Sequence, residues 1–196
     1  MINDVDETLK KILTRELPAE VLSQVSITFA TPGNSLPNSV PLPAIDIFLY
    51  DIRENLELRT SEQLVSQAAS KAAATTRLVR SPVNINFSYI ITAWSSSTSN
   101  PEEDEHRLLG MVLQALLRYI TWPVEMLQGI LVGSEPLPRA QIGQPGYLQH
   151  IGEFWSAMGG RPKPVIHYTV TAPLYPFAPF DNVPLIKTIT SNIQKK

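Results

Sequence analysis

Between Leu108 and Ile120 large aliphatic residues recur every three or four positions: Leu108, Leu109, Val112, Leu113, Leu116, Leu117 and Ile120. On an α-helix that spacing forms one wide apolar stripe, which is stable in water only when another layer covers it. The rest of the chain therefore has to supply matching apolar surface. The same segment carries its own boundary signals. Asn100 is placed to cap the helix, Pro101 suits its first position, and Glu102 and Glu103 complement the positive end of the helix dipole. Pro123 limits the other end. The acidic run Glu102, Glu103, Asp104, Glu105 could serve as acid/base pairs or as a hard-cation site, but its place at a helix start accounts for it more simply.

Strands to cover that stripe are visible in the sequence. From Pro82 to Trp94, Val83, Ile85, Phe87, Tyr89 and Ile91 alternate with Asn84, Asn86, Ser88 and Ile90, which predicts a strand with one wet face at its start. Val25 to Ala30 and Val165 to Ala172 alternate in the same way, and the run Gly129 to Gly133 reads as a buried or edge strand. AIDIFLYDIRENLELR reads as extended chain that turns Ile45, Ile47, Leu49 and Ile52 toward a core. The polar cluster Asp51 to Asn55 breaks it, so either a hairpin or a long, bent strand fits.

Two further helices are predicted. Ile2, Val5, Leu9, Ile12 and Leu13 share one face before Pro18; Leu148, Ile151, Phe154, Trp155 and Met158 share another before the stop Gly159-Gly160. The small, polar, alanine-rich stretch 61–80 has helical propensity but little apolar surface, so it reads as a loop or as a helix ordered by a neighbour. These elements predict an α+β fold, a mixed sheet flanked by two to three helices. No linker divides the chain, which points to a single domain over residues 1–196 with a proline-rich tail from about 173.

Composition narrows the function. The 16 basic and 18 acidic residues form no dense basic face, which argues against nucleic acid as a partner. No apolar run reaches the ~20 residues needed to span a bilayer, and MINDVDETLKK lacks the features of a secretory signal. Cytoplasmic synthesis without membrane insertion is therefore expected. The chain has no cysteine, which removes disulfides, thiolate nucleophiles and Cys-based metal sites. None of the spacings G-x-S-x-G, G-x-x-x-x-G-K-[ST], H-E-x-x-H or G-x-G-x-x-G occurs.

The three histidines, His106, His150 and His167, fall in separate predicted elements. Only His150 with Glu153 could share a helix face, and a metal needs three or four ligands. The expectation is a non-enzyme with no catalytic residue, no cofactor and no metal. Trp94, Trp122 and Trp155 each lie near an element end, where an indole closes over a core or, if exposed, anchors an interface.

The stretch LYDIRENLELR, Leu49 to Arg59, alternates charge along an extended backbone. Asp51, Arg53, Glu54 and Arg59 fit an ordinary solvated strand edge with weak ion pairs. They equally fit bidentate pairing across subunits, where such charges specify register and partner.

In order, an amphipathic N-terminal helix, IDIFLYDIRENLELR, SPVNINFSYIITAWS, EDEHRLLGMVLQAL and FWSAMGGRPKPVIHYTVT resemble the cap, or tail-terminator, family of extracellular contractile injection systems of the antifeeding-prophage and virulence-cassette type. The resemblance spans most of the chain, and LYDIREN and SYIITAW are its most specific pieces. It implies a phage tail-terminator-like fold and a hexameric ring on the end of the inner tube and sheath. Such a ring stops tube growth and holds the sheath extended, within a particle assembled in the cytoplasm. On this view Asp51, Arg53, Glu54 and Arg59 are interface residues. A baseplate or tail-completion adaptor is the competing assembly role, and a hydrolase built around His150 or His167 is the third class.

Overall fold

The computed structural model describes residues 1–60, 63–66, 75–143 and 151–184. In chain order the elements are α1 (Ile2–Glu16), α2 (Ala19–Leu22), β1 (Ser26–Thr28), β2 (Ala44–Glu54), β3 (Gln63–Ser66), β4 (Thr75–Arg80), β5 (Val83–Trp94), α3 (Pro101–Leu117), β6 (Arg139–Ile142), α4 (Ile151–Ala157), β7 (Ile166–Leu174) and β8 (Phe180–Pro184). Short 3-10 turns occupy Leu56–Leu58, Val124–Met126 and Gly129–Leu131. Contacts gather the chain into two compact units, Met1–Asn55 with Asn84–Pro173, and Leu56–Val83 with Leu174–Lys196.

The first unit is built on a five-stranded sheet in the order β1-β2-β5-β7-β6. β1 runs parallel to β2, while β2 with β5 and β6 with β7 are antiparallel, so the sheet is mixed and the fold α+β, as expected. One face carries Ile45, Ile47, Phe87, Tyr89, Ile91, Tyr168 and Val170, which pack with Val5, Leu9, Ile12 and Leu13 of α1 and Leu108, Leu109, Val112 and Leu116 of α3. The helices lie here because each has one continuous apolar stripe and this face is the apolar surface that accepts it. The Tyr89 hydroxyl, buried among them, donates to Asp6 Oδ1 of α1 at 2.7 Å.

The opposite face is mixed. The aromatic rings of α4 rest over it, Phe154 lying 6.3 Å from Phe48 and 6.4 Å from Tyr50. Polar side chains of the same face are buried: Asp46, Asn86, Ser88, Thr92 and Thr169. The face of β5 expected to be wet is thus covered, and its polar atoms turn to one another. Thr171 Oγ1 donates to Asn86 Oδ1 at 2.7 Å, and Ser88 Oγ lies 3.5 Å from Thr169 Oγ1.

Several boundaries differ from expectation. Within the run Gly129 to Gly133 the chain forms a 3-10 turn at Gly129–Leu131 rather than a strand, and Gly129 and Gly133 have φ of 53° and 77°, outside the extended region. An added Cβ at Gly129 would lie 1.9 Å from Asp4 Oδ1, so the Asp4 side chain of α1 would have to move, and the positive φ already favours glycine there. Helix α4 begins within the predicted segment, but residues 144–150, including His150, lie outside the described residues.

The second unit holds an antiparallel three-stranded sheet in the order β3-β4-β8. The stretch 61–80, read as loop or helix, therefore contributes two strands, and residues 67–74 between them lie outside the described residues. The partner that turns its weak local preference into strand is β8, which lies within the proline-rich tail. Such long-range pairing overrides modest helical propensity.

Candidate assembly surface

The LYDIREN stretch is a single bent strand. In register with β5, Leu49 faces Tyr89 and Asp51 faces Ser88, so Tyr50 is the extra residue of a β-bulge. The bulge changes the phase of alternation and places Ile52 opposite Phe87, on the apolar face. Ile52 is nevertheless 46% exposed, because it lies near the strand end rather than over the core as its spacing predicted.

Asp51 Oδ2 and Arg53 Nε pair at 2.7 Å, two residues apart on one side of the strand. Glu54, opposite Ile85, ends the strand. The Asn55 amide locks this end, donating its backbone N–H to Asn84 O at 2.8 Å and its Nδ2–H to Asn86 Oδ1 at 3.2 Å. Arg59 belongs to the second unit and follows the turn Leu56–Leu58, its N–H donating to Leu56 O at 3.3 Å. Of the four charged residues singled out from sequence, the structure shows Asp51 and Arg53 paired.

The segment from the end of α3 to Gly133 forms a second surface. Leu117, Ile120, Val124, Ile130 and Val132 are 56–73% exposed, although Leu117 and Ile120 were expected within the core stripe of α3. The helix ends at Leu117, after which the chain turns away. Buried Trp122, Met126, Leu127 and Leu131 pin the irregular path, leaving its other side chains outward. Backbone bonds fix it further: Trp122 N–H donates to Pro138 O at 2.9 Å, Ala140 N–H to Ile120 O at 2.8 Å, and Gln128 N–H to the Thr8 hydroxyl at 3.1 Å. A pinned aliphatic surface avoids the ordering cost that a partner would otherwise have to offset. Charge borders it. Arg15 pairs with Glu125 at 3.2 Å, and Tyr119 and Arg118 donate to Glu16, hydrogen bonds that hold the Glu16 carboxyl below its usual range. Sequence reasoning missed this surface because no periodicity assigns an inside to an irregular segment.

All three tryptophans are buried in the first unit. Trp122 Nε1–H donates to the Tyr168 hydroxyl at 3.0 Å and Trp94 Nε1–H to Thr92 Oγ1 at 2.9 Å. Glu105, read as one of a helix-start run, is buried and receives Lys163 Nζ at 2.6 Å; that ammonium also lies 3.9 Å over the Trp94 ring. Beside this cluster a cleft of about 400 Å³ is lined by Glu20, Val21, Trp94, Asp104 and Met111 among others. His106 is exposed on α3, while His167 on β7 lies 6.4 Å from the Tyr50 ring, where burial lowers its pKa. Among the described residues, no three His, Asp or Glu side chains gather as a metal would require, and no helix is long and apolar enough to cross a membrane.

This mixed sheet with its flanking helices is similar in fold to two solved tube-terminating proteins of contractile injection systems. The PVC sheath/tube terminator of an extracellular contractile injection system, in its extended state, matches with a TM-score of 0.67 and 26% identity over 100% of this chain. The tube-terminating cap of the anti-feeding prophage matches with a TM-score of 0.66 and 26% identity over 98%. This chain spans less than two thirds of either, 64% and 62% respectively. No curated protein sequence matches it. The chain belongs to the Pvc16 N-terminal domain family, which matches residues 4–187.

Proposed function

We propose that this chain is a structural terminator of a contractile injection system, a ring-forming cap that ends inner-tube growth and stabilises the extended sheath. The observation that carries the reading is the pinned aliphatic surface at Leu117, Ile120, Val124, Ile130 and Val132, on a fold shared with a sheath/tube terminator and a tube-terminating cap. Five large aliphatics held outward on a rigid path have the character of an interface core, with Arg15, Arg118, Glu16 and Glu125 as its polar rim.

The assembly is a homo-oligomeric ring, hexameric on this reading, that contacts inner-tube and sheath proteins and neither nucleic acid nor membrane. It forms in the cytoplasm and ends as part of a phage tail-like particle. The role is structural rather than enzymatic. Asp51, Arg53, Glu54 and Arg59 act as register residues where neighbouring subunits meet, with the Asp51–Arg53 pair presenting a fixed guanidinium at the end of β2.

Electron microscopy of particles assembled with and without the chain tests the reading. Loss of the chain is expected to leave tubes of uncontrolled length and missing or contracted sheath. Particles of normal length with extended sheath would overturn it.

A further inference from the structure

The second unit presents an exposed aromatic surface organised around one cation. On its three-stranded sheet Phe180 lies opposite Leu78, and Arg80 follows two positions along β4, so the three share a face. The Arg80 guanidinium lies 4.5 Å from the centre of the Phe177 ring and 5.5 Å from that of Phe180. Both rings are about half exposed, at 53% and 47%, and Arg80 is exposed as well. Among the described residues, no carboxylate pairs with Arg80. Two aromatic faces restrain the guanidinium while leaving its N–H edge for a planar anion. An arginine set among exposed aromatics is also the composition of an interface hot spot.

The complementary group is present in the same chain. Glu102 and Glu103, at the start of α3, are exposed, and no ion pair engages either among the described residues. Pro101, in the first turn of that helix, gives the two carboxylates a rigid apolar neighbour. A closed ring needs a heterologous interface in which two different patches of one chain meet on successive copies. These two patches differ in place and are opposite in charge.

We infer that the Arg80–Phe177–Phe180 surface docks the Pro101–Glu103 helix start of a second copy, Arg80 pairing with the Glu102 and Glu103 carboxylates while Pro101 packs on the exposed rings. The inference rests on the ring-forming reading above and names one of its contacts.

Charge reversal of the full chain tests it, with self-association read by sedimentation and native mass spectrometry at low salt. R80E and E102R/E103R are each expected to weaken association by about tenfold or more, and the combined variant to recover most of the loss. R80K, which keeps the charge but not the planar stack, should fall between wild type and R80E. Because these residues are exposed, unchanged thermal unfolding would show that the variants fold. The chain has no cysteine, so mixing an R80C copy with an E102C copy also permits a selective disulfide between chains.

A cross-linked dimer together with recovery in the combined variant supports the proposal. Rings unaffected by R80E overturn it while leaving the terminator reading intact, as does a cross-link that forms only within one chain carrying both cysteines. A wild-type chain that stays monomeric at all concentrations overturns it too, and so does R80E-sensitive binding to isolated tube alone, which would assign the surface to the tube protein.

Discussion

Lys163 Nζ and Glu105 Oε1 meet at 2.6 Å with their side chains only 17% and 11% exposed, joining the segment before β7 to the first turns of α3. The Ser95 N–H donates to the same carboxylate oxygen at 3.3 Å, and Trp94 roofs the ammonium. A pair so covered is costly to break from one side, because the remaining charge stays in a poorly solvated place. Lys163→Met is expected to lower unfolding free energy by about 3 kcal/mol, and the double variant with Glu105→Gln to recover a large part of it. Urea denaturation of the four chains measures the coupling; a change below about 0.5 kcal/mol for Lys163→Met would show the pair to be a surface interaction.

Trp122 and Tyr168 are both buried, and the Tyr168 hydroxyl is the acceptor for the Trp122 indole N–H. Tyr168→Phe keeps the ring and removes only the acceptor. It should cost about 1–3 kcal/mol, the penalty for an unsatisfied buried donor, with little change in the folded far-ultraviolet spectrum. A thermal midpoint equal to wild type would indicate that the N–H finds another acceptor.

Asp46 gives a pH dependence with a defined sign. It is fully buried, its Oδ1 accepts the Ala30 N–H at 2.9 Å, and burial pushes its pKa up to about 7 from an ordinary 3.8. Between those values the folded chain holds a proton that the unfolded chain has released, so this group's contribution to stability falls as pH rises from about 4 to about 7 and then levels off. Asp46→Asn should flatten that part of the profile and raise stability at pH 8, by at most a few kcal/mol. His167 acts with the opposite sign over its own range, because its pKa is lowered by burial; protonation as pH falls below about 6.5 favours the unfolded chain. Parallel profiles for wild type and Asp46→Asn would rule Asp46 out as the source.

Two glycines should respond oppositely to alanine. Gly129 has φ of 53° and faces Asp4 Oδ1, so Gly129→Ala is expected to destabilise by about 1–3 kcal/mol through strain and displacement of Asp4. Gly110, within α3, has open space where a Cβ would go, and Gly110→Ala should stabilise by about 0.5–1 kcal/mol. Differential scanning calorimetry of the pair checks both signs at once.

The aliphatic surface yields a prediction in which folding and assembly separate. Ile120→Asp and Ile130→Asp, at side chains 73% and 58% exposed, should change unfolding free energy by less than about 0.5 kcal/mol. Ring formation, measured by native mass spectrometry, should fall by about tenfold or more. Normal rings from both variants would move the interface elsewhere.

Local pattern was sufficient for the elements whose faces are one-sided. The stripe of α1, the inward set Leu108, Leu109, Val112 and Leu116, and the alternation Phe87, Tyr89, Ile91 are legible because their periods, near 3.6 and 2, put an apolar face on one side whatever lies opposite. The order of pieces around IDIFLYDIREN and SYIITAW likewise carried the resemblance to terminators from the sequence alone. What those periods leave open is the identity of the opposing layer. Only the tertiary structure decided that Asn86, Ser88 and Thr92 are buried, that β8 makes strands of the 61–80 stretch, and that the bulge at Tyr50 rephases β2. It also decided that Leu117 and Ile120 leave the stripe, because the chain turns where Trp122 and Leu131 find the core. The reason is physical: a repeat along the chain records which side chains share a face, whereas burial and exposure depend on contacts between segments far apart in sequence.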